Sequence, residues 1–293
     1  MQYSNTTTRS NVEKLLTNAG FTLIELMVAM VVGAVVIAVM YAVYTVQQRS
    51  FKRETMVVDA QQSVRTAFLL VEKDLRMIGY DRFNTDLFGI TDIRLDANNN
   101  GTLAFTADMG DGTADNGLLD GFDRFTYALY DEPSTSTVGN LDLGRTAGTV
   151  GVDPTLLVAA GIEALGFAFA FDVDADGRLD FNDIDGDGIM DPPNEGIYWA
   201  VDSDGDNDLD LELDTDKNGE INTLDGTAAL PADVAVDRIR AMKVFILART
   251  KGMDVGYTNN EVYRVGFRLV AGGGDQYRRR LLVTTVRCRN LGL

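Results

Sequence analysis

One stretch limits what this chain can be. From Phe21 to Val46 the sequence is apolar and carries a single ionisable residue, Glu25. These 26 residues span about 39 Å as a helix, enough to cross a bilayer with some tilt. A polar leader with Arg9 and Lys14 precedes the run, and Arg49, Lys52 and Arg53 follow it. A carboxylate at the head of a membrane helix costs on the order of 2–3 kcal/mol at the bilayer centre and less near the interface. A lone Glu25 in that setting calls for a partner.

Secretory signals place their small-residue cleavage site after the apolar run. Here Gly20 comes before it, so cleavage at Gly20 would leave the apolar helix on the mature chain. The plain alternative is an uncleaved signal anchor. The segment Gly20-Phe21-Thr22-Leu23-Ile24-Glu25 resembles the class III signal of type IV pilins and type II secretion pseudopilins. The resemblance implies that a prepilin peptidase cuts after Gly20 and methylates Phe21, and that Glu25 serves subunit assembly. Charge supports that role: an ammonium on Phe21 would need a counter-ion in the membrane zone, and pairing with Glu25 across subunits would set axial register. Thr22-x-x-Glu25 is also the pattern of a local capping box, and the two roles are compatible.

Helix formers continue past the membrane run. Apolar residues at Val57, Val58, Val64, Phe68, Leu69, Val71, Leu75 and Ile78 give a stripe of roughly helical period. One helix is expected from about Phe21 to Ile78, ended by Gly79, with its amphipathic second half (47–79) packed on a sheet. Strand-like runs follow at Ile90–Leu95, Thr102–Thr106, Asp123–Tyr130, Ile162–Phe171, Val236–Arg249, Glu261–Val270 and Arg280–Arg287. The expected fold is α+β: a long helix on a mainly antiparallel sheet formed by residues 80–293.

The resemblance narrows at Glu72-Lys73-Asp74-Leu75-Arg76-Met77-Ile78-Gly79-Tyr80, which is similar to the helix end of PilW-type minor pilins and of J-type pseudopilins. Gly161 to Phe167, Asp237 to Val244 and Arg278 to Gly292 are further PilW-like pieces in the same order. This implies a minor pilin that helps to initiate a type IV pilus, in a tip complex. Its implied partners are other minor and major pilins, the prepilin peptidase, the inner-membrane assembly platform and the inner membrane. The precursor would hold its globular part in the periplasm before joining an extracellular filament. A J-like secretion pseudopilin and a calcium-dependent adhesin are the alternative functions.

The chain carries a net charge of −18, and residues 172–225 hold −17 of it: 19 acidic residues against Arg178 and Lys217. Nucleic acid is disfavoured, because phosphate contacts need basic patches. Within this segment Asp172, Asp174, Asp176, Asp180 and Asp183 occupy positions one, three, five, nine and twelve of an EF-hand-like loop. Gly177 stands at six, Arg178 offers its carbonyl at seven, and Leu179 is the apolar eighth residue. Asp214, Asp216, Asn218, Gly219, Glu220, Ile221, Asn222 and Asp225 repeat the template. Two degenerate copies lie between. One is Asp183, Asp185, Asp187, Gly188, Asp191 and Asn194; the other is Asp202, Asp204, Asp206, Asn207, Asp208 and Asp210. Pro192 and Pro193 exclude long flanking helices. The spacing predicts a loop-rich insertion that holds two to four Ca2+, with a solvated acidic loop as the competing reading. Asp96-Ala-Asn98-Asn-Asn100-Gly101 lacks a twelfth carboxylate and is expected to be a hairpin turn.

An enzyme is not expected. The chain has no histidine, and no nucleophile–base set is visible. The lone Cys288 sits in an apolar stretch and is expected in the core.

Overall fold

The structure, a computed structural model, describes residues 20–109, 117–131, 142–192 and 195–291. The leader before Gly20, Pro193, Asn194 and Gly292 lie outside the described residues. Contacts divide the chain into two units, one up to Lys52 and one from Arg53 onward.

The helix α1 runs Leu23–Leu75 and contributes to both units. It begins two residues later than expected because Thr22 is its N-cap. In the first unit its apolar side chains are exposed, as a helix made for lipid requires. Among the described residues it is the one helix long and apolar enough to cross a membrane. In the second unit Val64, Ala67, Val71, Asp74 and Leu75 form its buried stripe. The helix ends by tightening: Met77 and Ile78 donate to the carbonyls of Asp74 and Leu75, three residues back. Gly79 then takes φ +71° and donates to Thr106 O, so the expected stop is a tightened turn closed by a left-handed glycine.

Two antiparallel sheets and a hairpin complete the second unit. The first sheet orders β1 (Ile90–Leu95), β2 (Gly101–Thr106), β3 (Arg124–Tyr130), β4 (Asp142–Ala147) and β5 (Thr155–Ala159) in sequence. The loop joining β1 to β2 is the hairpin turn foreseen at Asp96, whose carboxylate accepts the N–H groups of Asn98 and Asn100. The second sheet has the order β13-β10-β6-β7-β8-β9. Its strands are β6 (Ile162–Phe171), β7 (Ala200–Val201), β8 (Asp208–Glu212), β9 (Ala228–Ala235), β10 (Ile239–Arg249) and β13 (Arg279–Arg287). The run 261–270, expected as one strand, is a hairpin of β11 (Val262–Val265) and β12 (Arg268–Ala271), because Gly266 turns the chain at φ +59°.

Period-two alternation in β6 and β10 builds two cores. Leu165, Phe167, Phe169 and Phe171 of β6, with Met242, Val244 and Ile246 of β10, face the helix and the first sheet. The opposite face carries Ala164, Ala168 and Ala170 with Ala241, Phe245 and Leu247, and packs under the β11–β12 hairpin. Small residues are needed there: a Cβ on Gly166 would lie 2.5 Å from the backbone oxygen of Val265. On the helix side Asp74 accepts hydrogen bonds from Tyr127 Oη (2.8 Å) and Arg145 Nε (2.6 Å), tying α1 to β3 and β4. Burial and the Asp74 charge push the Tyr127 phenol well above its usual value. Cys288 is buried in the first core, and burial pushes its thiol up to about 12.

The acidic segment is more than a loop-rich insertion. It leaves β6, supplies β7 and β8 on the other side of β6, and runs into β9, from which the chain returns to β10, the direct partner of β6. Two of the six strands of the second sheet are therefore made by this segment, and its acidic loops are the connections from β6 through β7 and β8 to β9. Pro231 lies in β9, an edge strand, where its missing N–H breaks no ladder.

Candidate functional site: four acidic loops and a capped helix start

At the start of α1 the capping box is formed. The Thr22 N–H and hydroxyl both donate to Glu25 Oε2 at 2.9 Å, and the Glu25 N–H donates to Thr22 Oγ1 at 3.3 Å.

The four acidic windows start at Asp172, Asp183, Asp202 and Asp214 and share one backbone conformation. Position four is left-handed in each: Ala175 (φ +61°), Gly186 (+76°), Gly205 (+86°) and Lys217 (+61°). Position six is left-handed too: Gly177 (+84°), Gly188 (+75°), Asn207 (+71°) and Gly219 (+83°). Asn is the side chain most tolerant of this region after Gly, which explains why the third loop works without a glycine at six. Ala175 and Lys217 hold a conformation that costs a non-glycine residue about 1–2 kcal/mol.

The hydrogen bonds repeat as well. The first Asp accepts the N–H of position six at 3.0, 3.0, 2.8 and 2.9 Å in the four loops in order. The third residue accepts from the fifth at 3.1, 3.1, 3.3 and 3.1 Å. The fifth accepts from the seventh at 2.7, 2.7, 2.9 and 2.7 Å. Even the copies that are degenerate in sequence are wound this way. This winding brings the first and third carboxylates of every loop together.

Carboxylate oxygens gather within 4.8 Å of one another in each loop. The first loop brings together Asp172, Asp174 and Asp180. Asp176 instead accepts the Arg178 N–H, and Asp183 at position twelve does not reach this group. The reason is that the loop closes early: Asp180 N–H bonds Phe171 O, and the chain then pairs Phe181 with Ile197. Asp183 opens only the second loop, where it meets Asp185 and Glu195, while Asp185 also lies near Asp187 and Asp191. Glu195 is buried and accepts the N–H groups of Ile184 (2.8 Å) and Asp191 (2.9 Å). It stands one position beyond the twelfth, and the glutamate that the template prefers there was its only signal in the sequence.

The third loop joins Asp202, Asp204 and Asp206. Asp208 begins β8, and Asp210 accepts the Ser203 N–H (2.7 Å), so neither belongs to the trio. Asn207 Oδ1 accepts the Ile93 N–H of β1 at 2.9 Å and links this loop to the first sheet.

The fourth loop joins Asp214, Asp216 and Asp225. Here the twelfth residue does arrive, and Asp225 accepts the N–H groups of Thr215 (3.1 Å) and Asn222 (2.8 Å). Asn218 accepts the Glu220 N–H, and Asn222 accepts that of Leu224. Asp214 is fully buried, and its Oδ1 has no hydrogen-bond partner among the described residues. Burial pushes Asp214 up to about 6; Asp225 adds to the rise, against the Gly219 N–H and Lys243. Two cations clamp this loop from outside. Lys243 donates to Gly219 O (2.5 Å) above the Trp199 ring, and Arg264 donates to the carbonyls of Asp225 (2.9 Å) and Gly226 (3.0 Å).

The apolar eighth positions act as anchors in three loops. Leu209 lies in the first core, Ile221 in the second, and Leu179 packs against the second. Met190 of the second loop is exposed.

Comparison with known proteins defines the N-terminus. Residues 16–41 match the family described as the prokaryotic N-terminal methylation motif, so the chain carries a prepilin-type N-terminus. Among curated proteins no sequence matches. Among solved structures, a type IV-like pilin from Thermus thermophilus is similar over 80% of this chain and 98% of its own, at 12% identity and a TM-score of 0.42. That likeness is too low to carry an argument.

Proposed function

We propose that this chain is a membrane-anchored prepilin that becomes a minor, PilW-type subunit of a type IV pilus, within an initiating tip complex. The observation that carries the reading is the methylation motif over 16–41, with Glu25 five residues after Gly20 on a helix long enough for the bilayer. The chain works by packing rather than catalysis. The prepilin peptidase trims it after Gly20 and methylates Phe21, and the apolar helices of pilin partners then bundle. Glu25 meets the amine of a neighbouring Phe21, since either charge alone in hydrocarbon is costly. The precursor sits in the inner membrane, its globular part in the periplasm, until the assembly platform adds it to the filament.

The capping box supplies the test. Glu25→Gln keeps a side chain that can cap and removes the charge. The variant should insert and be processed yet fail to enter filaments. Normal incorporation would leave Glu25 with a capping role alone and refute the pairing.

We further propose that the segment 172–225 binds two to four Ca2+. The shared winding of the four loops supports this, and so does the partnerless, buried Asp214 Oδ1, a hard oxygen aimed at no protein donor. The supporting ligand sets are Asp172, Asp174 and Asp180; Asp183, Asp185 and Glu195; Asp202, Asp204 and Asp206; and Asp214, Asp216 and Asp225. Calcium titrated into the full chain in non-ionic detergent should protect 172–225 from proteolysis. No protection at millimolar calcium would refute the module.

A further inference from the structure

The second sheet also gathers positive charge in an otherwise acidic molecule. A cleft of about 560 Å³ is lined by Arg178, Arg240, Arg287 and Arg289, with Leu179 and Leu291 as its apolar part. The fold places these arginines together for definite reasons. Ala241 of β10 pairs with Arg287 of β13, and Cys288 N–H donates to Arg240 O, so the N-terminal end of β10 meets the C-terminal end of β13. Cys288 points into the core, which turns Arg287 and Arg289 outward on the same face. The first acidic loop joins them because Asp172 N–H donates to Arg238 O, bringing Arg178 to the rim.

None of the four arginines is in an ion pair among the described residues. Arg240 donates only to backbone carbonyls, those of Asp237 and Ile239. Four guanidiniums share this cleft with a single carboxylate, that of Asp172, which is turned into the first acidic loop where it accepts the Gly177 N–H, so the arginines repel one another and keep an excess of positive charge. Guanidinium forks match carboxylates in paired geometry, unlike the point charge of lysine. The net charge of −18 opposes a long polyanion such as nucleic acid, so a short, local anion fits best.

We propose that this arginine cleft docks a short acidic polypeptide segment of a partner subunit. The interaction should be electrostatic and salt-sensitive. The test uses the full chain in non-ionic detergent with millimolar calcium, and the fluorescence anisotropy of a labelled deca-glutamate peptide at low ionic strength. Saturable binding is expected, weakened at least 10-fold by Arg287→Ala combined with Arg289→Ala. Arg178→Gln, on an exposed loop away from the core, should weaken it about threefold and guards against misfolding of the double variant. Lys251→Ala should change nothing, because Lys251 lies beyond the far end of β10, about 35 Å along the strand from Arg240. Absence of saturable binding, or unchanged binding by the arginine variants, would overturn the proposal. So would displacement of the peptide by inorganic phosphate at equal charge concentration, which would mark a small-anion site instead.

Discussion

Asp214→Asn separates the two faces of the fourth loop. In the parent chain Asp214 is fully buried with Oδ1 lacking a partner, beside Asp216 and Asp225. A buried polar atom left unsatisfied costs about 1–3 kcal/mol, and more when charged. Asparagine removes the charge from that position. In EDTA the variant should therefore be more stable than the parent by about 1–3 kcal/mol. For a domain of this size each kcal/mol moves the midpoint by roughly 2–4 °C, which predicts a rise of about 2–12 °C. In calcium that advantage is cancelled or reversed. A cation at 100 times its Kd stabilises the native state by about 2.7 kcal/mol, and the variant forfeits that contribution at this loop. Differential scanning calorimetry of the detergent-solubilised full chain, with EDTA and with calcium, reads both effects. An equal calcium-induced shift in parent and variant would refute the assignment of Asp214. Destabilisation by the same amount in both conditions would mark it as a structural carboxylate with no cation to bind.

The other predictions are smaller in scope. Gly177→Ala puts a side chain at φ +84° in open space, so only conformational strain of about 1–2 kcal/mol should appear, whereas Ala175→Gly relieves strain at φ +61° and should raise the midpoint in calorimetry. Gly166→Ala drives a Cβ into the β11–β12 backbone and should cost about 1–3 kcal/mol in urea unfolding; an unchanged midpoint would disprove the close approach. For acid stability, burial raises Asp254, but hydrogen bonds from Arg278 and Arg53 outweigh it and hold the carboxyl below 3.8. A depressed carboxylate adds stability above its unfolded value that is lost as pH falls through the folded one. Asp254→Asn should therefore lower stability near neutral pH, and the difference from the parent should shrink below about pH 4; a constant difference across that range would contradict the ion pair.

Much of this architecture could be read from residue pattern. The apolar run, the Thr22–Glu25 box and the stripe from Val57 to Ile78 led to α1, although Val58 and Leu69 of that stripe are exposed, and strand-like runs marked β1, β3 and β6. Patterns failed where packing sets the structure. The strands β8 and β9 are rich in Asp or Ala and carry Pro231, so neither looks like a strand until β7 extends β6. The run Glu261–Val270 alternates correctly across Gly266, and only the fold shows that the chain reverses there. The loop template located every first and third carboxylate. It could not show that the first loop closes at Asp180 and releases Asp183, or that Glu195 takes the place beyond the twelfth. Those outcomes depend on the Phe181–Ile197 pairing, a contact with no local signature. The left-handed fourth position was hidden as well, because Ala175 and Lys217 are not residues that announce it.

The most direct measurement is intact-mass and N-terminal analysis of the native protein recovered from cells with its associated subunits. A chain that begins at methylated Phe21 and co-purifies with other pilin-type subunits is the predicted result. A chain that still begins at Met1 while the peptidase is active, or a processed chain recovered only as a free membrane monomer, would contradict the account.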